Sequence, residues 1–314
     1  MKTQHGTDDH QNHIIPAKIE IRQARRLSRR SFLGLSGAAA AGMGLTVLLG
    51  GCGSASTTAS GSTDFGSSTT AAKTYRVGME CAYSPWNWQT SESSDYAIPI
   101  DNVSGAYADG YDIQIAKVVA KALGGDAVAE KMAFSGLIDA LNNDQIDLII
   151  AGMVPTDERK QSIDFSEDYK ESGYTLLVKS SGPYANATSL SDFSGATVLG
   201  QVNTMLDTII DDIPNVIHAT PVDSTPSMVS NLENGTCDAI TAGKDDCVAL
   251  IKANPDLMQV NFADGEGFQE VVGVAVGLKK GQDDELNTIN EALDSLSDDD
   301  RQSIWDACVE RAPE

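Results

Sequence analysis

The chain has 314 residues, enough for one large domain or two small ones. Its apolar fraction of 41% and charged fraction of 21% are ordinary for a globular protein, which argues against general disorder. The net charge of −23 argues against nucleic acid as a partner, because a phosphate backbone needs a basic face. Three of the four histidines lie before residue 14, so only His218 could serve as a catalytic histidine in the body of the chain.

The first 51 residues have the pattern of an export signal. Residues 28–33 (SRRSFL) resemble the twin-arginine motif, and a Gly- and Ala-rich, moderately apolar stretch follows. Residues 49–52 (LGGC) resemble a bacterial lipobox, in which Cys52 becomes the lipidated first residue. A single transmembrane anchor is the alternative, but the stretch is only weakly hydrophobic. We expect residues 1–51 to be a twin-arginine lipoprotein signal peptide and Cys52 to carry the lipid.

A linker follows the lipidation site. Residues 53–72 consist almost entirely of Ser, Thr, Gly and Ala, a composition that cannot bury a hydrophobic core. As a random coil, such a segment spans on the order of 25 Å. We therefore expect residues 52–72 to tether a folded body to the outer face of the cell membrane.

From residue 73 onward the pattern changes to alternating strands and helices. Residues 111–123 carry apolar side chains at helical spacing, and two glycines end this helix. Residues 146–151 form a short apolar run, typical of a strand that is buried on both faces. In chain order we predict a strand at 75–79, a polar, turn-rich segment at 88–109, a helix at 111–123, a helix from 135, a strand at 146–151, a helix capped by Thr156 and a strand at 174–179.

After residue 179 the same alternation begins again. Apolar runs that alternate with helices indicate a parallel sheet covered on both faces. The pattern therefore predicts two α/β units, the second inserted between pieces of the first. In chain order the elements are strands at 197–199, 216–218, 238–241 and 271–278, with helices at 204–210, 227–233, 286–296 and 299–310.

Four stretches carry a family resemblance: GYDIQIAK at 110–117, FSGLIDAL at 134–141, IDLIIAGMVPTDERK at 146–160 and IDFSEDY at 163–169. In this order and spacing they resemble the amino-acid-binding lipoproteins of ABC importers, extracellular solute-binding protein family 3. The resemblance covers about residues 73–312. It implies a type II periplasmic-binding-protein fold with two α/β lobes, two hinge strands and ligand in the cleft between the lobes.

The resemblance also implies the domain boundaries and the partners. Lobe 1 would comprise residues 73–177 and 272–314, lobe 2 residues 178–271, and the hinge crossings would lie near 177–180 and 271–274. We expect an extracytoplasmic protein with a monomeric body that delivers a small basic or polar amino acid to the permease and ATPase subunits of an importer. No cofactor is implied, and the sequence shows no metal-ligand spacing of cysteines or histidines.

Arg159 and Thr204 match the family positions that hold the ligand α-carboxylate. Guanidinium and carboxylate form a bidentate pair, and Arg159 lies near a predicted helix N-terminus. The alternative for Arg159 is a surface arginine paired with Asp157 or Glu158. The alternative for Thr204 is a simple helix cap, and Asn203 stands where the family usually has glycine.

Three further positions match side-chain contacts of the family. Tyr83 and Phe134 correspond to aromatics that sandwich the ligand side chain, whereas we expect Trp86 to belong to the lobe core. Glu80 stands where relatives that bind basic amino acids place an acid toward the distal end of the ligand. The alternative for Glu80 is an acid at the end of a strand, facing solvent.

Two positions depart from the family pattern. Val154 replaces a Ser or Thr that bonds ligand in many relatives, and Gly243 replaces the Asp or Glu that receives the α-ammonium. The ammonium would then rely on backbone carbonyls near Gly152, on Asp245, or on Asp246. Otherwise the ligand lacks a normal α-amino group.

The sequence leaves other functional interpretations open. An exported dehydratase of prephenate-like acids shares the fold, and its chemistry would need a placed acid such as Glu80. The sequence supplies neither a histidine base nor an activated nucleophile there, so we expect no enzyme. A chemosensory binding protein fits the same pattern as a transport protein. A disulfide between Cys237 and Cys247 is one option for an exported chain.

Overall fold

The computed structural model describes residues 73–313. The predicted signal peptide (1–51), the lipidated Cys52 and the linker to residue 72 lie outside the described residues. Within residues 73–313, no helix is both long enough and apolar enough to cross a membrane.

The described residues contain thirteen strands in two sheets and eight α-helices. The strands are β1 (Lys73–Met79), β2 (Ala82–Tyr83), β3 (Asn87–Thr90), β4 (Ile98–Pro99), β5 (Tyr107–Asp109), β6 (Gly125–Lys131), β7 (Leu148–Ile149), β8 (Asp164–Lys179), β9 (Thr197–Leu199), β10 (Ile217–His218), β11 (Ala239–Gly243), β12 (Leu257–Gln259) and β13 (Val271–Leu278). The α-helices are α1 (Tyr111–Ala122), α2 (Leu137–Asn142), α3 (Asp157–Ser162), α4 (Met205–Thr208), α5 (Thr225–Asn234), α6 (Cys247–Ala253), α7 (Asp283–Asp294) and α8 (Asp298–Arg311). Short 3-10 helices occupy Phe134–Gly136, Leu190–Phe193 and Ile209–Asp212.

The larger sheet has the order β10-β9-β11-β8-β13-β7-β1-β6, with β12 added beside β8. β1 runs parallel to β6 and β7, and β9 runs parallel to β10 and β11. β8 and β13 pair antiparallel with each other and with their neighbours at the centre. The predicted parallel pairing therefore holds in each half of the sheet, and two antiparallel strands join the halves.

Hydrophobic packing divides this sheet into two lobes. One cluster draws its buried residues from 75–169 and 274–308. Two further clusters draw theirs from the segment between residues 174 and 268. β8 leaves the first cluster after Tyr169 and joins the second at Tyr174, and β13 crosses between Val272 and Val274. The lobe boundaries at 177/178 and 271/272 stay predictions.

Local signals explain where two helices begin. The N-terminus of α1 is fixed to the loop between β2 and β3, because the Asp112 amide donates to the Trp86 carbonyl oxygen at 2.8 Å. α3 begins after Thr156, whose hydroxyl oxygen accepts from the Arg159 amide, so the predicted cap is confirmed.

The structure also contains elements that the sequence pattern did not predict. The segment 88–109, expected to be turn-rich, contributes strands to a small sheet of order β2-β3-β5-β4. These strands have two to four residues, too few for a clear alternation of polar and apolar side chains. β6, α6 and β12 were likewise not predicted. The four cysteines of the described part are buried and free, so no bridge joins Cys237 to Cys247.

Candidate functional site

A cavity that is partly open to solvent lies between the two lobes. Eight of the nine predicted ligand-binding residues line it: Glu80, Tyr83, Phe134, Gly152, Val154, Arg159, Thr204 and Gly243. The ninth, Asn203, is not part of the lining but contacts Arg159 through its backbone carbonyl. The lining also includes Lys170 and Gln201, which the sequence did not point to, and Trp86, which was assigned to the core. Asp246, which the sequence offered as one possible acceptor for the ammonium, lines the cavity as well.

Arg159 presents a cation to this cavity. One terminal nitrogen donates to the Val154 carbonyl oxygen at 2.7 Å, and the other donates to the Asn203 carbonyl oxygen at 2.6 Å. Its guanidinium carbon lies 5.2 Å from the centre of the Phe134 ring, and burial lowers the pKa of the group. Within residues 73–313 it forms no salt bridge, so the expected alternative of pairing with Asp157 or Glu158 is not what the structure shows.

The Thr204 hydroxyl is engaged in the backbone around it. It accepts from the Leu206 amide at 3.1 Å and donates to the Gln201 carbonyl oxygen at 2.8 Å. The threonine therefore caps α4, and its expected contact with a ligand carboxylate stays a prediction. The preceding Asn203 has a φ of 60°, a left-handed conformation that asparagine tolerates better than most residues. Asn203 can therefore adopt this turn although it is not a glycine.

Asp246 presents a carboxylate to the same cavity. Its side chain is almost fully buried, and its two oxygens accept from the Tyr83 hydroxyl at 2.6 Å and from the Trp86 indole nitrogen at 2.7 Å. Burial raises the pKa of this carboxyl group. No lysine, arginine or histidine among the described residues forms a salt bridge with it.

Gly243 leaves the space that the Asp246 carboxylate occupies. A Cβ atom added at Gly243 would lie 2.6 Å from Asp246 Oδ2. The Asp246 carboxylate thus occupies the space where an acidic side chain at position 243 would begin, and it comes from three residues further along the chain. The neighbouring Asp245 is paired with Lys170 at 2.7 Å instead.

Aromatic rings form one wall of the cavity. The rings of Tyr83 and Trp86 stack with their centres 6.0 Å apart and an angle of 22° between them. Trp86 belongs to the buried core, as expected, but it also lines the cavity and donates to Asp246. The assignment of Trp86 to the core alone was therefore incomplete.

Glu80 is buried rather than facing solvent, so the solvent-facing alternative was wrong. Gln201 Nε2 donates to both of its carboxylate oxygens, at 3.0 and 3.1 Å, and to the Asp223 carbonyl oxygen at 3.0 Å. Burial raises the pKa of Glu80 to about 7, against the lowering effect of the Gln201 hydrogen bond. Gln201 follows the carboxyl end of β9, which is the position where ligand contacts are expected in open α/β sheets.

Gly152 and Val154 contribute their backbone to the site. Gly152 has a φ of 60°, and a Cβ atom there would lie 3.3 Å from the Tyr83 ring. Its amide donates to the Tyr169 hydroxyl at 3.0 Å. Val154 lacks a polar side chain, but its carbonyl oxygen holds Arg159. His218 pairs with Asp207 and Asp211 and is not part of the cavity lining.

The chain matches known proteins over most of its length. The family model described as bacterial extracellular solute-binding proteins, family 3, matches residues 75–305. The L-cystine-binding protein TcyJ of Escherichia coli K12 is 27% identical over 227 residues, which are 72% of this chain and 78% of that protein. The arginine-binding extracellular protein ArtP of Bacillus subtilis 168 is 30% identical over 211 residues, 66% of this chain and 79% of that protein. A solved substrate-binding protein of an amino acid ABC transporter superposes with a TM-score of 0.63 at 29% identity, covering 76% of this chain and 99% of that one.

Proposed function

Because the chain belongs to family 3 of the bacterial extracellular solute-binding proteins and has that family's two-lobe α/β fold, we propose that it binds an amino acid between its lobes and delivers it to an ABC importer. The relatives reported above are named as binding proteins, not enzymes. The proposal rests on what the cavity presents, on these relatives and on the export pattern of the sequence.

One observation carries the proposal: Arg159 and Asp246 face the same cavity, and neither has a partner of opposite charge among the described residues. Asp246 is buried and Arg159 is partly buried, and a charge removed from water without a charged partner is unfavourable unless a ligand supplies one. A cation and a carboxylate in one small cavity are the complement of a zwitterion. Arginine has five N–H donors. The carbonyl oxygens of Val154 and Asn203 accept from two of the Arg159 nitrogens, so further N–H groups remain to donate to a ligand carboxylate.

The proposed ligand has a basic or polar side chain, and L-arginine is the first candidate. Glu80 and the Gln201 side-chain oxygen are acceptors in the cavity lining, suited to an ammonium, guanidinium or amide. A cationic group beside Glu80 would favour its ionised form and lower its raised pKa. The two relatives reported above are named for binding arginine and cystine, which are also amino acids with a basic or polar side chain.

We also propose where the protein acts. The twin-arginine motif at 28–33 and the lipobox ending at Cys52 support export and a lipid anchor on the outer face of the cell membrane. Residues 53–72 would then let a monomeric body reach a permease, whose ATPase subunits drive import. Residues 73–177 with 272–314, and residues 178–271, are the proposed lobes.

A thermal-shift screen of the ligand-stripped protein against the twenty amino acids, ornithine, citrulline and non-amino carboxylates tests the proposal. A ligand at about 100 times its Kd stabilises a protein by roughly 2.7 kcal/mol, which is a shift of several degrees. We expect an amino acid to give this shift in wild type but not in Arg159→Ala or Asp246→Asn.

Two exposed residues provide matched controls. Lys160→Ala removes a neighbouring cation on α3, and Asp256→Asn removes an exposed acid of the second lobe. Both control variants should keep the full shift. No shift with any amino acid, in protein shown to be folded, would overturn the proposal, whereas a hit among the non-amino carboxylates alone would assign a ligand of another class.

A further inference from the structure

Behind the cavity lies a buried carboxylate that the proposed binding mechanism does not use. Asp112, in the first turn of α1, is fully buried and is not part of the cavity lining. One oxygen accepts from the Tyr169 hydroxyl at 2.7 Å, and the other accepts from Asn87 Nδ2 at 2.7 Å. Burial raises the pKa of Asp112 to about 7, and these hydrogen bonds act against that increase.

The Asn87 side chain connects Asp112 to the backbone beside Glu80. Asn87 Oδ1 accepts from the Cys81 amide at 2.8 Å. Cys81 directly follows Glu80 and has a φ of 52°, a left-handed conformation that is uncommon for a residue with a Cβ atom. The hydrogen bond therefore supports a turn that the backbone would otherwise disfavour.

The Tyr169 side chain connects Asp112 to a second turn of the same handedness. The Tyr169 hydroxyl donates to Asp112 and accepts from the Gly152 amide at 3.0 Å. Gly152 lines the cavity with a φ of 60°. One buried carboxylate is thus linked, through one side chain in each direction, to two left-handed turns at the site.

We infer that Asp112 is a positioning residue that orients Asn87 and Tyr169 and thereby holds the backbone at Cys81 and Gly152. An ionised carboxylate only accepts hydrogen bonds. It therefore accepts a hydrogen bond from the NH₂ group of Asn87, so the Asn87 amide oxygen is left to accept from the Cys81 amide. It also accepts a hydrogen bond from the Tyr169 hydroxyl, so a lone pair of that hydroxyl is left to accept from the Gly152 amide. The effect on ligand affinity rests on the proposed function, whereas the effect on the two turns does not.

Exchanging the side chains of Asn87 and Asp112 tests the donor and acceptor directions of the hydrogen bonds in this network. Asp112→Asn still accepts from Tyr169, but its NH₂ group faces the NH₂ group of Asn87, so the Cys81 amide loses its acceptor. In the double variant Asn87→Asp/Asp112→Asn, the carboxylate at position 87 accepts from Cys81 and from the amide at position 112. Every hydrogen bond of the network is then restored. Tyr169→Phe removes only the branch to Gly152.

The first readout is amide hydrogen exchange by NMR on the full-length, ligand-free protein at pH 8, above the pKa of Asp112. Asp112→Asn should lose protection at Cys81 and keep it at Ile115, a buried residue in the middle of α1. Tyr169→Phe should reduce protection at Gly152, whose amide also interacts with the Asp112 carboxylate directly, and should keep protection at Cys81. The double variant should regain protection at both amides.

The second readout is the Kd for L-arginine by isothermal titration calorimetry. We expect on the order of a tenfold loss for Asp112→Asn and recovery in the double variant. Unchanged exchange at Cys81 in Asp112→Asn, or a double variant no better than the single one, would overturn the inference. If wild type itself does not bind L-arginine, the proposed ligand is wrong and the exchange data still decide the role of Asp112. If Asp112→Asn does not fold, Tyr169→Phe and the double variant supply the test.

Discussion

The buried carboxyl group of Glu80 predicts that Glu80→Gln stabilises the ligand-free fold at alkaline pH. Burial raises the pKa of Glu80 from 4.5 to about 7, so the folded protein binds this proton more tightly than the unfolded chain does. The resulting cost to stability develops as the pH rises above 4.5 and is complete above about 7. The shift corresponds to roughly 3 kcal/mol at pH 8 and about 1 kcal/mol at pH 5. Glutamine removes the charge and keeps one of the two acceptors that Gln201 uses. The lost second hydrogen bond costs about 1 kcal/mol at both pH values, so it lowers the net stabilisation but leaves its pH dependence unchanged.

Urea unfolding followed by circular dichroism at pH 5 and pH 8 measures this effect as the difference between variant and wild type. The stabilisation should be roughly 2 kcal/mol larger at pH 8 than at pH 5. Glu92→Gln is the control, because Glu92 is an exposed acid between β3 and β4 and should change stability by less than about 0.5 kcal/mol. Equal stabilisation at both pH values, or destabilisation at pH 8, would refute the argument from charge burial.

Three further predictions concern the cavity and the core. Arg159→Ala should raise the Kd for L-arginine about 30-fold or more in calorimetric titration, because a buried ligand carboxylate loses its charged partner; near-wild-type affinity would remove Arg159 from the site. Gly243→Ala should weaken the same binding, because the added Cβ, 2.6 Å from Asp246 Oδ2, displaces that carboxylate; unchanged affinity would contradict the role of Asp246. Apart from Cys52, the cysteines are buried, and burial raises the pKa of each thiol. They should therefore react with Ellman's reagent at pH 8 only after unfolding in urea, and rapid reaction of the native protein would argue against their burial.

The fold was predictable where the hydrophobic pattern was long and periodic. The helix expected at 111–123 is α1 (Tyr111–Ala122), and the strand expected at 271–278 is β13 (Val271–Leu278). The strand expected at 174–179 is only the end of the sixteen-residue β8. Its first half runs beside β13 and carries exposed polar side chains, so the apolar pattern there was too weak to recognise.

The sequence predicted those residues of the site that a family motif marks by their position in the chain. The family motif located Arg159, and the structure places its guanidinium in the cavity. Gln201 could have been found from the rule that ligand contacts follow the carboxyl ends of strands, since it lies two residues after β9. The burial of Glu80 could not be found in this way, because it depends on contact with a residue more than one hundred positions away.

Gly243 and Asp246 show why comparison by position is incomplete. Read alone, glycine at 243 indicates a lost acceptor and a ligand without an ammonium group. In the structure, the absent side chain is what permits the Asp246 carboxylate to enter the same space, where Tyr83 and Trp86 donate to it. The cavity therefore has a carboxylate beside Gly243, although position 243 itself carries none. For this reason the presence of both a cation, Arg159, and a carboxylate, Asp246, in one cavity is a stronger basis for proposing an amino acid ligand than any single motif residue is.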